Sequence, residues 1–178
     1  MGNPVRPDQH PSPPPATTID LGKHDKVTDS DGRTVENTAN NGKITVTYAG
    51  TVDSGTPNEN GGKNYVITGT ISKAKMPAAG GSPSMTVNTN GKATAIELEK
   101  SGGVQSHDSA SITGGNATVT VSGNYNDYTI DGTGNNVTAT GMNNTGNATA
   151  TSGGNYTNSG PLHNNNVFNT NGGMWQIH

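Results

Sequence analysis

The segment GNATVTVSGNY, Gly115 to Tyr125, decides the fold class because it alternates apolar residues with threonines. Ala117, Val119 and Val121 occupy every second position, so they share one face of a strand and the threonines lie on the other. A period of two with β-branched residues is typical of a half-buried β-strand. No stretch of the chain has convincing helical periodicity. We therefore predict an all-β fold.

Two other segments alternate in the same way. They are ITVTY, at 44–48, and AIELE, at 95–99. In the second segment the alternation turns both glutamates outward, towards solvent. The inward residues that the pattern predicts are Ile44, Val46 and Tyr48 in the first segment, and Ile96 and Leu98 in the second.

The opening segment has a second copy further along the chain. GNATATSGGNY, Gly146 to Tyr156, repeats it with Ala150 and Ser152 in place of Val119 and Val121. Copies of one strand unit indicate stacked solenoid turns or paired hairpins. The alternative is a chance likeness within low-complexity sequence.

Asn-Gly doublets separate many of these strands. Both residues tolerate the positive φ that two-residue hairpin turns require. We therefore predict an antiparallel hairpin meander that forms a small β-sandwich or a partly solenoid-like sheet. The doublets lie at Asn41-Gly42, Asn60-Gly61, Asn90-Gly91 and Asn171-Gly172.

Composition divides the chain into three parts. Residues 1–17 form a Pro-rich arm, predicted to be extended. Residues 18–134 form the β-domain, and 135–178 form a Gly/Asn-rich tail that is either repeat-like or ordered by assembly. Because this tail offers little apolar area, truncation at Gly134 should leave the preceding strands intact.

Charge and composition exclude several classes of function. The net charge is −3 and no cluster of lysine or arginine exists, so we expect no nucleic-acid partner. The chain has no cysteine, hence no disulfide or thiol chemistry. No apolar run is long enough for a membrane span, so we expect no direct membrane insertion. The first residues contain no hydrophobic signal core, so we expect no leader within this chain.

Two metal hypotheses are weak. Five histidines stand far apart, with no pair at metal-ligand spacing; they are His10, His24, His107, His163 and His178. DSDGRTVE, at 29–36, begins like a calcium loop but lacks the third oxygen ligand before Gly32 and the length of an EF-hand. An ordinary Asp-Gly turn is the preferred interpretation. We predict no metal site and no cofactor.

Two sets of residues have the types found in catalytic sites, but neither pattern predicts an enzyme. His107, Asp108 and Ser109 are triad residue types, but sequence neighbours do not converge as a triad must. Glu97 and Glu99 share a strand face and could in principle serve a glycosidase, although the chain has few aromatic residues for a sugar platform. A solubilising outer face explains them better. Glycosylation acceptor triplets begin at Asn116, Asn136, Asn143, Asn147 and Asn155. We predict no catalytic residue and no enzyme.

Several segments resemble mycobacterial LpqH-type surface lipoprotein antigens. The likeness is carried by TIDLGKHDKV (18–27), TANNGKITVTYAG (38–50), TVNTNGKATAIELEKSGG (86–103), GNATVTVSGNYNDYTIDGTG (115–134) and the Tyr-X-Ile-Thr-Gly-Thr run at 65–70. The family's lipid-bearing cysteine and paired cysteines are absent, and the run at 65–70 precedes the central segment instead of following it. The resemblance implies a non-enzymatic β-domain displayed at the cell surface or outside the cell, acting in adhesion, recognition or envelope support.

A second hypothesis rests on the Pro-rich arm and the Gly/Asn-rich tail. Such segments are typically ordered by neighbouring subunits, as in a phage tail or capsid component. Under both hypotheses the partners are proteins: the envelope, a host receptor or neighbouring virion subunits. A homo-oligomer is possible, and the location is the cell surface or, alternatively, the virion.

Overall fold

In the computed structural model, Gly2 and residues 16–178 are described, and these residues form sixteen β-strands and no helix. The all-β prediction is confirmed. The predicted arm lies almost wholly outside the described residues. The strands are β1 (Thr17–Leu21), β2 (Lys26–Thr28), β3 (Thr34–Asn37), β4 (Ile44–Val52), β5 (Thr56–Pro57), β6 (Lys63–Met76), β7 (Ser84–Asn88), β8 (Thr94–Leu98), β9 (Asp108–Thr113), β10 (Ala117–Val121), β11 (Asn126–Ile130), β12 (Asn135–Ala139), β13 (Thr145–Ala148), β14 (Gly153–Asn158), β15 (Val167–Asn169) and β16 (Met174–Ile177).

From β7 onward the chain is a two-sheeted β-solenoid. Each coil contributes one strand to an odd-strand sheet, β7, β9, β11, β13 and β15, and the next to an even-strand sheet, β8, β10, β12, β14 and β16. Neighbouring strands within each of these sheets are parallel. The solenoid-like alternative of the sequence prediction therefore describes this part of the chain.

The coil length differs from the spacing of the repeated segment. Thr118 lies beside Asn136, and Asp127 lies beside Thr145, so these coils are 18 residues long. The copy at 115–125 contains β10 of the even-strand sheet, whereas the copy at 146–156 begins within β13 of the odd-strand sheet. The two copies belong to stacked coils, but they do not stack on each other.

Antiparallel pairing is confined to the first seven strands. The pairs are β1–β4, β2–β3, β3–β7, β4–β6 and β5–β6. Among the doublets, Asn60-Gly61 closes a hairpin, whereas Asn90-Gly91 and Asn171-Gly172 join an odd strand to the even strand of the same coil. The meander prediction thus holds for the N-terminal part alone. Positive φ at Asn90 and Asn171 suits a solenoid corner as well as a hairpin turn.

The long strand β6 belongs to both parts of the fold. Its first residues pair with β2, and its last residues pair with β8 in the even-strand sheet. It also crosses β4 where Gly50 lies opposite Gly69. Both glycines have positive φ, and a Cβ on either would collide with the backbone of the other strand. Gly69 of the Tyr-X-Ile-Thr-Gly-Thr run is therefore required by this close approach.

The inward side chains form rows that run along the solenoid. One row, called the Val119 row below, follows the even-strand sheet through Ala74, Ile96, Val119, Val137, Tyr156 and Ile177. All but the last are buried. The inward residues predicted from the sequence, Ile44, Val46, Tyr48, Ile96, Leu98, Ala117, Val119 and Val121, are buried as expected.

The segment 135–178 contributes β12 to β16 and continues the stack without a break. Gly134 lies between β11 and β12, the two strands of one coil. Because β12 pairs with β10, Val137 packs against the buried Val119. Truncation at Gly134 would expose that side of Val119, so the expected independence of the preceding strands does not agree with this packing.

Candidate functional site

The outer faces of both sheets carry aligned rows of short polar side chains. On the odd-strand face one row runs through Thr86, Ser111, Thr129, Asn147 and Asn169. On the even-strand face two rows run through Thr118, Asn136 and Asn155 and through Thr120, Thr138 and Thr157. Parallel strands stack about 4.8 Å apart, so each row presents hydroxyls and amides at a regular interval.

The odd-strand face is indented near its middle. A shallow depression of ≈ 230 Å³ is lined by Ser84, Thr86, Ser109, Ser111, Asp127 and Thr129, among others. The hydroxyls of Ser84 and Ser109 lie 2.9 Å apart on its floor. Short hydroxyls beside one carboxylate can donate and accept hydrogen bonds to a polar partner.

His107 pairs with a residue of the next coil and not with its own neighbours. Its Nδ1 lies 2.9 Å from Asp127 Oδ1, and this hydrogen bond raises the pKa of the imidazole above its ordinary value. Asp108 is buried instead, with its Oδ2 3.3 Å from Lys100 Nζ. Ser109 is bonded to Ser84. His107, Asp108 and Ser109 are therefore not linked as a triad.

The two glutamates of the glycosidase hypothesis are each paired with lysine. Glu97 Oε1 lies 3.0 Å from Lys73 Nζ, and Glu99 Oε1 lies 3.4 Å from Lys75 Nζ. The hydrogen bond from Lys73 lowers the pKa of Glu97. A general acid needs a raised pKa, so this geometry favours the solubilising outer face.

The calcium-like segment is a turn held together by arginine. Arg33 Nη1 contacts both Asp29 Oδ2, at 3.0 Å, and Asp31 Oδ2, at 2.9 Å. Asp29 also accepts backbone N–H groups from Asp31, Arg33 and Ile71. The guanidinium supplies the positive charge that a cation would have brought. The Asp-Gly turn interpretation agrees with β2 and β3 pairing as a hairpin around it.

The remaining histidines are dispersed over the fold. His24 contacts Asn40 Oδ1 at 2.8 Å, while His10 lies outside the described residues. Over residues 16–178 no group of three or more His, Cys, Asp or Glu side chains converges as metal ligands would. The same residues include no helix that is long and apolar enough to cross a membrane.

A buried asparagine ladder, which the sequence reasoning missed, connects three coils. Asn144 Oδ1 accepts the backbone N–H of Asn126, and Asn166 Oδ1 accepts that of Asn144. The Asn144 side-chain amide donates to Gly123 O at 2.9 Å, and that of Asn166 donates to Gly141 O at 2.8 Å. The spacing of 18 residues between Asn126 and Asn144 equals the coil length. This spacing is the feature of the sequence from which the ladder could have been predicted.

The last coil leaves core-facing side chains uncovered. In the Val119 row, Tyr156 is 4% exposed, whereas Ile177 is 58% exposed. Phe168 and Trp175 are only partly buried, although Phe168 stacks on Tyr156 with ring centroids 4.3 Å apart. We call β15, β16 and the loop 159–166 the open coil.

The open coil and the coil before it are also free of charged side chains. The last Asp, Glu, Lys or Arg in the sequence is Asp131. Burial raises the pKa of the Tyr156 phenol, and burial together with the nearby Tyr156 raises that of Tyr128 well above its ordinary value. Both phenols therefore stay neutral at physiological pH. This end of the solenoid therefore carries no Asp, Glu, Lys or Arg side chain.

The glycosylation triplets are spread over both faces and the turns between them. Asn116, Asn136 and Asn155 are exposed, whereas Asn143 and Asn147 are half-buried. Comparisons of the chain with protein-family models, with curated proteins and with solved structures give no match.

Proposed function

We propose that this protein is a non-enzymatic structural and recognition module, displayed at the cell surface, whose rigid solenoid presents a polar face to protein partners. The observation that carries the proposal is the pair of outer faces with in-register Ser, Thr and Asn side chains. Regular rows of hydroxyls and amides match the hydrogen-bonding groups of another polypeptide surface. The resemblance to surface lipoprotein antigens points in the same direction.

The odd-strand face is the recognition face in this proposal. It contains the depression around Ser109 and Asp127, which offers a shaped contact. The even-strand face is less suited to specific contact near β6 and β8, because Lys73, Lys75, Glu97 and Glu99 already neutralise each other there.

The location is tested with antibodies raised against the chain. Intact source cells and purified particles from the same culture are labelled before and after permeabilisation. We expect labelling of intact cells. Labelling that requires permeabilisation, with none on particles, contradicts surface display.

The recognition face is tested with paired variants. A Ser109→Lys/Thr129→Lys double variant adds two long cations to the odd-strand face, and Thr118→Lys/Asn136→Lys does the same to the even-strand face. All four positions are exposed, so both proteins should keep their fold. We expect the fluorescently labelled odd-face variant to lose binding to intact source cells while the even-face variant retains it. Equal binding by both variants contradicts the assignment.

One specific observation favours a second function, that of a virion structural protein. On the open coil Ile177 is 58% exposed and Phe168 and Trp175 are only partly buried, a surface that suits contact with a neighbouring subunit. In that case the antibodies label purified particles and leave the cell surface unlabelled.

A further inference from the structure

We propose that Asn60 is a site of spontaneous covalent modification, at which the side-chain amide is lost as ammonia and a carboxylate takes its place. The inference goes beyond the proposed function and does not depend on it. It rests on a comparison of the four Asn-Gly doublets, which share one local sequence and differ in how the fold holds the asparagine side chain.

An Asn-Gly doublet can close a five-membered ring with its own backbone, and asparagine is a thermolabile residue for this reason. The backbone nitrogen of the glycine forms a bond to the asparagine Cγ, the bond from Cγ to the amide nitrogen breaks, and ammonia leaves with the proton of the glycine nitrogen. Water then opens the succinimide on either side and leaves aspartate or isoaspartate. Glycine favours the attack because it has no Cβ. The asparagine side chain must be free to rotate towards the backbone.

Two of the four asparagines are held by hydrogen bonds across the solenoid. The side-chain amide of Asn90 donates to Asp31 O at 2.9 Å. That of Asn171 donates to Ala148 O at 2.7 Å. In both doublets the amide that would leave is bonded to a carbonyl of a distant segment, so ring closure has to break this bond first.

The doublet at Asn41 is held from the other side of the amide. Asn41 Oδ1 accepts the backbone N–H of Ser82 at 3.0 Å. A Cβ on the following glycine, Gly42, would collide with Pro83, so this glycine is also packed closely. The side chain and the attacking nitrogen are therefore both constrained.

The side chain of Asn60 is exposed and makes no hydrogen bond to any other described residue. Its turn is organised by Asn58 instead. Asn58 Oδ1 accepts the backbone N–H of Asn60 and, at 2.9 Å, that of Gly62, and the Asn58 amide donates to His24 O at 2.8 Å. The N–H of Gly61 makes only a long hydrogen bond, 3.4 Å, to Asn58 O. Asn60 can therefore react without breaking a side-chain contact of the fold.

The modification changes the charge of a polar groove. Asn60 lines a groove of ≈ 420 Å³ together with Lys26, Glu36 and Glu59, and its other lining residues are uncharged. One cation and two anions give this lining a formal net charge of −1, and a carboxylate at position 60 makes it −2. The reaction therefore makes this part of the surface more negative, slowly and without an enzyme.

The experiment follows all four doublets in the full chain, folded and unfolded. The folded chain and the same chain in concentrated guanidinium chloride are incubated at slightly alkaline pH. They are then digested at acidic pH, where ring closure is slow, and analysed by mass spectrometry. Each doublet that reacts gains one dalton, and chromatography separates the aspartate and isoaspartate forms.

In the folded chain we expect Asn60 to react at least about ten-fold faster than the other three asparagines, because each of those must first give up a hydrogen bond. In guanidinium chloride the four rates should agree within about three-fold, because the unfolded chain keeps only fluctuating local structure.

The direct variant is Asn60→Gln, which keeps an amide but would have to close a six-membered ring, a much slower reaction. Because the replaced side chain is exposed, circular dichroism should show an unchanged β content. We expect the early mass gain to disappear. The matched control Asn171→Gln alters another exposed Asn-Gly doublet and should keep the early mass gain of the unaltered chain.

Selective reaction of Asn60 in the folded chain, together with similar rates in the unfolded chain, supports the proposal. It is overturned if another doublet reacts as fast as Asn60 in the folded chain, or if folded Asn60 is inert while unfolded Asn60 reacts. An equal lead of Asn60 in the unfolded chain overturns it as well, because local sequence and not the fold then sets the choice. A mass gain that persists in Asn60→Gln has the same consequence.

Discussion

The N-terminal strands β1 to β6 and the open coil differ in how their strand edges are paired and in how many charged side chains they carry. At the N-terminal end, strands β1 to β6 are joined mainly by antiparallel pairs, with β2 and β6 parallel, and the ion pair of Asp29 with Arg33 stabilises the β2–β3 hairpin. In the open coil, β15 and β16 each have one edge that no other described strand pairs with, core-facing side chains are exposed, and Asp, Glu, Lys and Arg are absent. The contrast shows that charged side chains are concentrated in the N-terminal part of the fold and that Asp, Glu, Lys and Arg are absent from the open coil.

The core changes along the same direction. In the even-strand row, Met76 and Leu98 are of similar size, and the side chains then become smaller at Val121 and again at Ala139. Buried asparagines and aromatic rings increase over the same coils, with Asn126, Asn144, Tyr128 and Tyr156. Hydrogen-bond ladders and stacked rings thus replace aliphatic volume towards the open coil. This is how a chain with only 27% hydrophobic residues forms a continuous core.

The largest expected loss of stability comes from breaking the buried Asp29–Arg33 ion pair in the N-terminal part of the fold. Asp29→Ala removes a carboxylate whose side chain is 0% exposed and leaves the Arg33 guanidinium, at 9% exposure, with its partly exposed partner Asp31 alone. We expect the free energy of unfolding to fall by about 4 kcal/mol, the usual cost of breaking a buried ion pair. Urea denaturation measures it.

The matched control for this change is Asp31→Ala. Asp31 contacts the same guanidinium, but its side chain is 36% exposed. A loss of about 1 kcal/mol or less is expected because exposed ion pairs contribute little. Equal losses for the two variants would contradict the central place of Asp29 in this turn.

The next effect compares two isoleucines of the Val119 row. Ile96→Ala should lower the free energy of unfolding by about 3 kcal/mol, because the side chain is fully buried and leaves a cavity. Ile177→Ala should cost less than about 1 kcal/mol in the monomer, because Ile177 has lost little contact with solvent. Denaturation at low protein concentration compares them. A larger loss at Ile177 would mean that the open coil is covered.

The asparagine ladder gives a third comparison. Asn144→Ala leaves the backbone N–H of Asn126 and the carbonyl of Gly123 without their partner, in a buried position. We expect a loss of about 2 kcal/mol. Asn166→Ala, at the half-buried last step of the ladder, should cost about half as much because water can reach the released groups. Thermal unfolding of the two variants reveals whether the ladder weakens towards the open coil.

The smallest effects concern pH. The lowered pKa of Glu97 means that its contribution to stability is present above the unfolded pKa of about 4.3 and is lost as pH falls through the lower folded pKa. We expect a contribution below about 1 kcal/mol, screened by salt. The test compares the free energy of unfolding of Glu97→Gln with that of the unaltered chain between about pH 3 and 7, the range in which carboxyl groups titrate.

The pH dependence of stability from the His107–Asp127 pair has the opposite sign to that from Glu97. Because Asp127 raises the pKa of His107, any stability from this pair is present below the unfolded pKa of about 6.5 and is lost as pH rises through the folded pKa. An NMR titration of the imidazole should give a pKa above the ordinary histidine value, and Asp127→Asn should return it. An unchanged pKa in Asp127→Asn would contradict the assignment of the partner.

The sequence by itself determined the class and orientation of individual strands. Period-two alternation is a local property, because successive side chains of any strand point to opposite faces, so Val119, Ile96 and Ile44 could be placed inward without knowing their partners. The outward, solubilising position of Glu97 followed from the same rule. The preference for an Asp-Gly turn at Asp29 also needed no tertiary information.

Only the tertiary structure decided how the strands pair and where a surface ends. An Asn-Gly doublet with positive φ suits both a hairpin and a solenoid corner, so Asn90-Gly91 could not distinguish antiparallel from parallel pairing. The partners of His107 and Asn126 lie one coil away, at distances along the chain that depend on the coil length. Tyr156 and Ile177 occupy the same inward row, and one is buried while the other is exposed because a further coil covers the first alone.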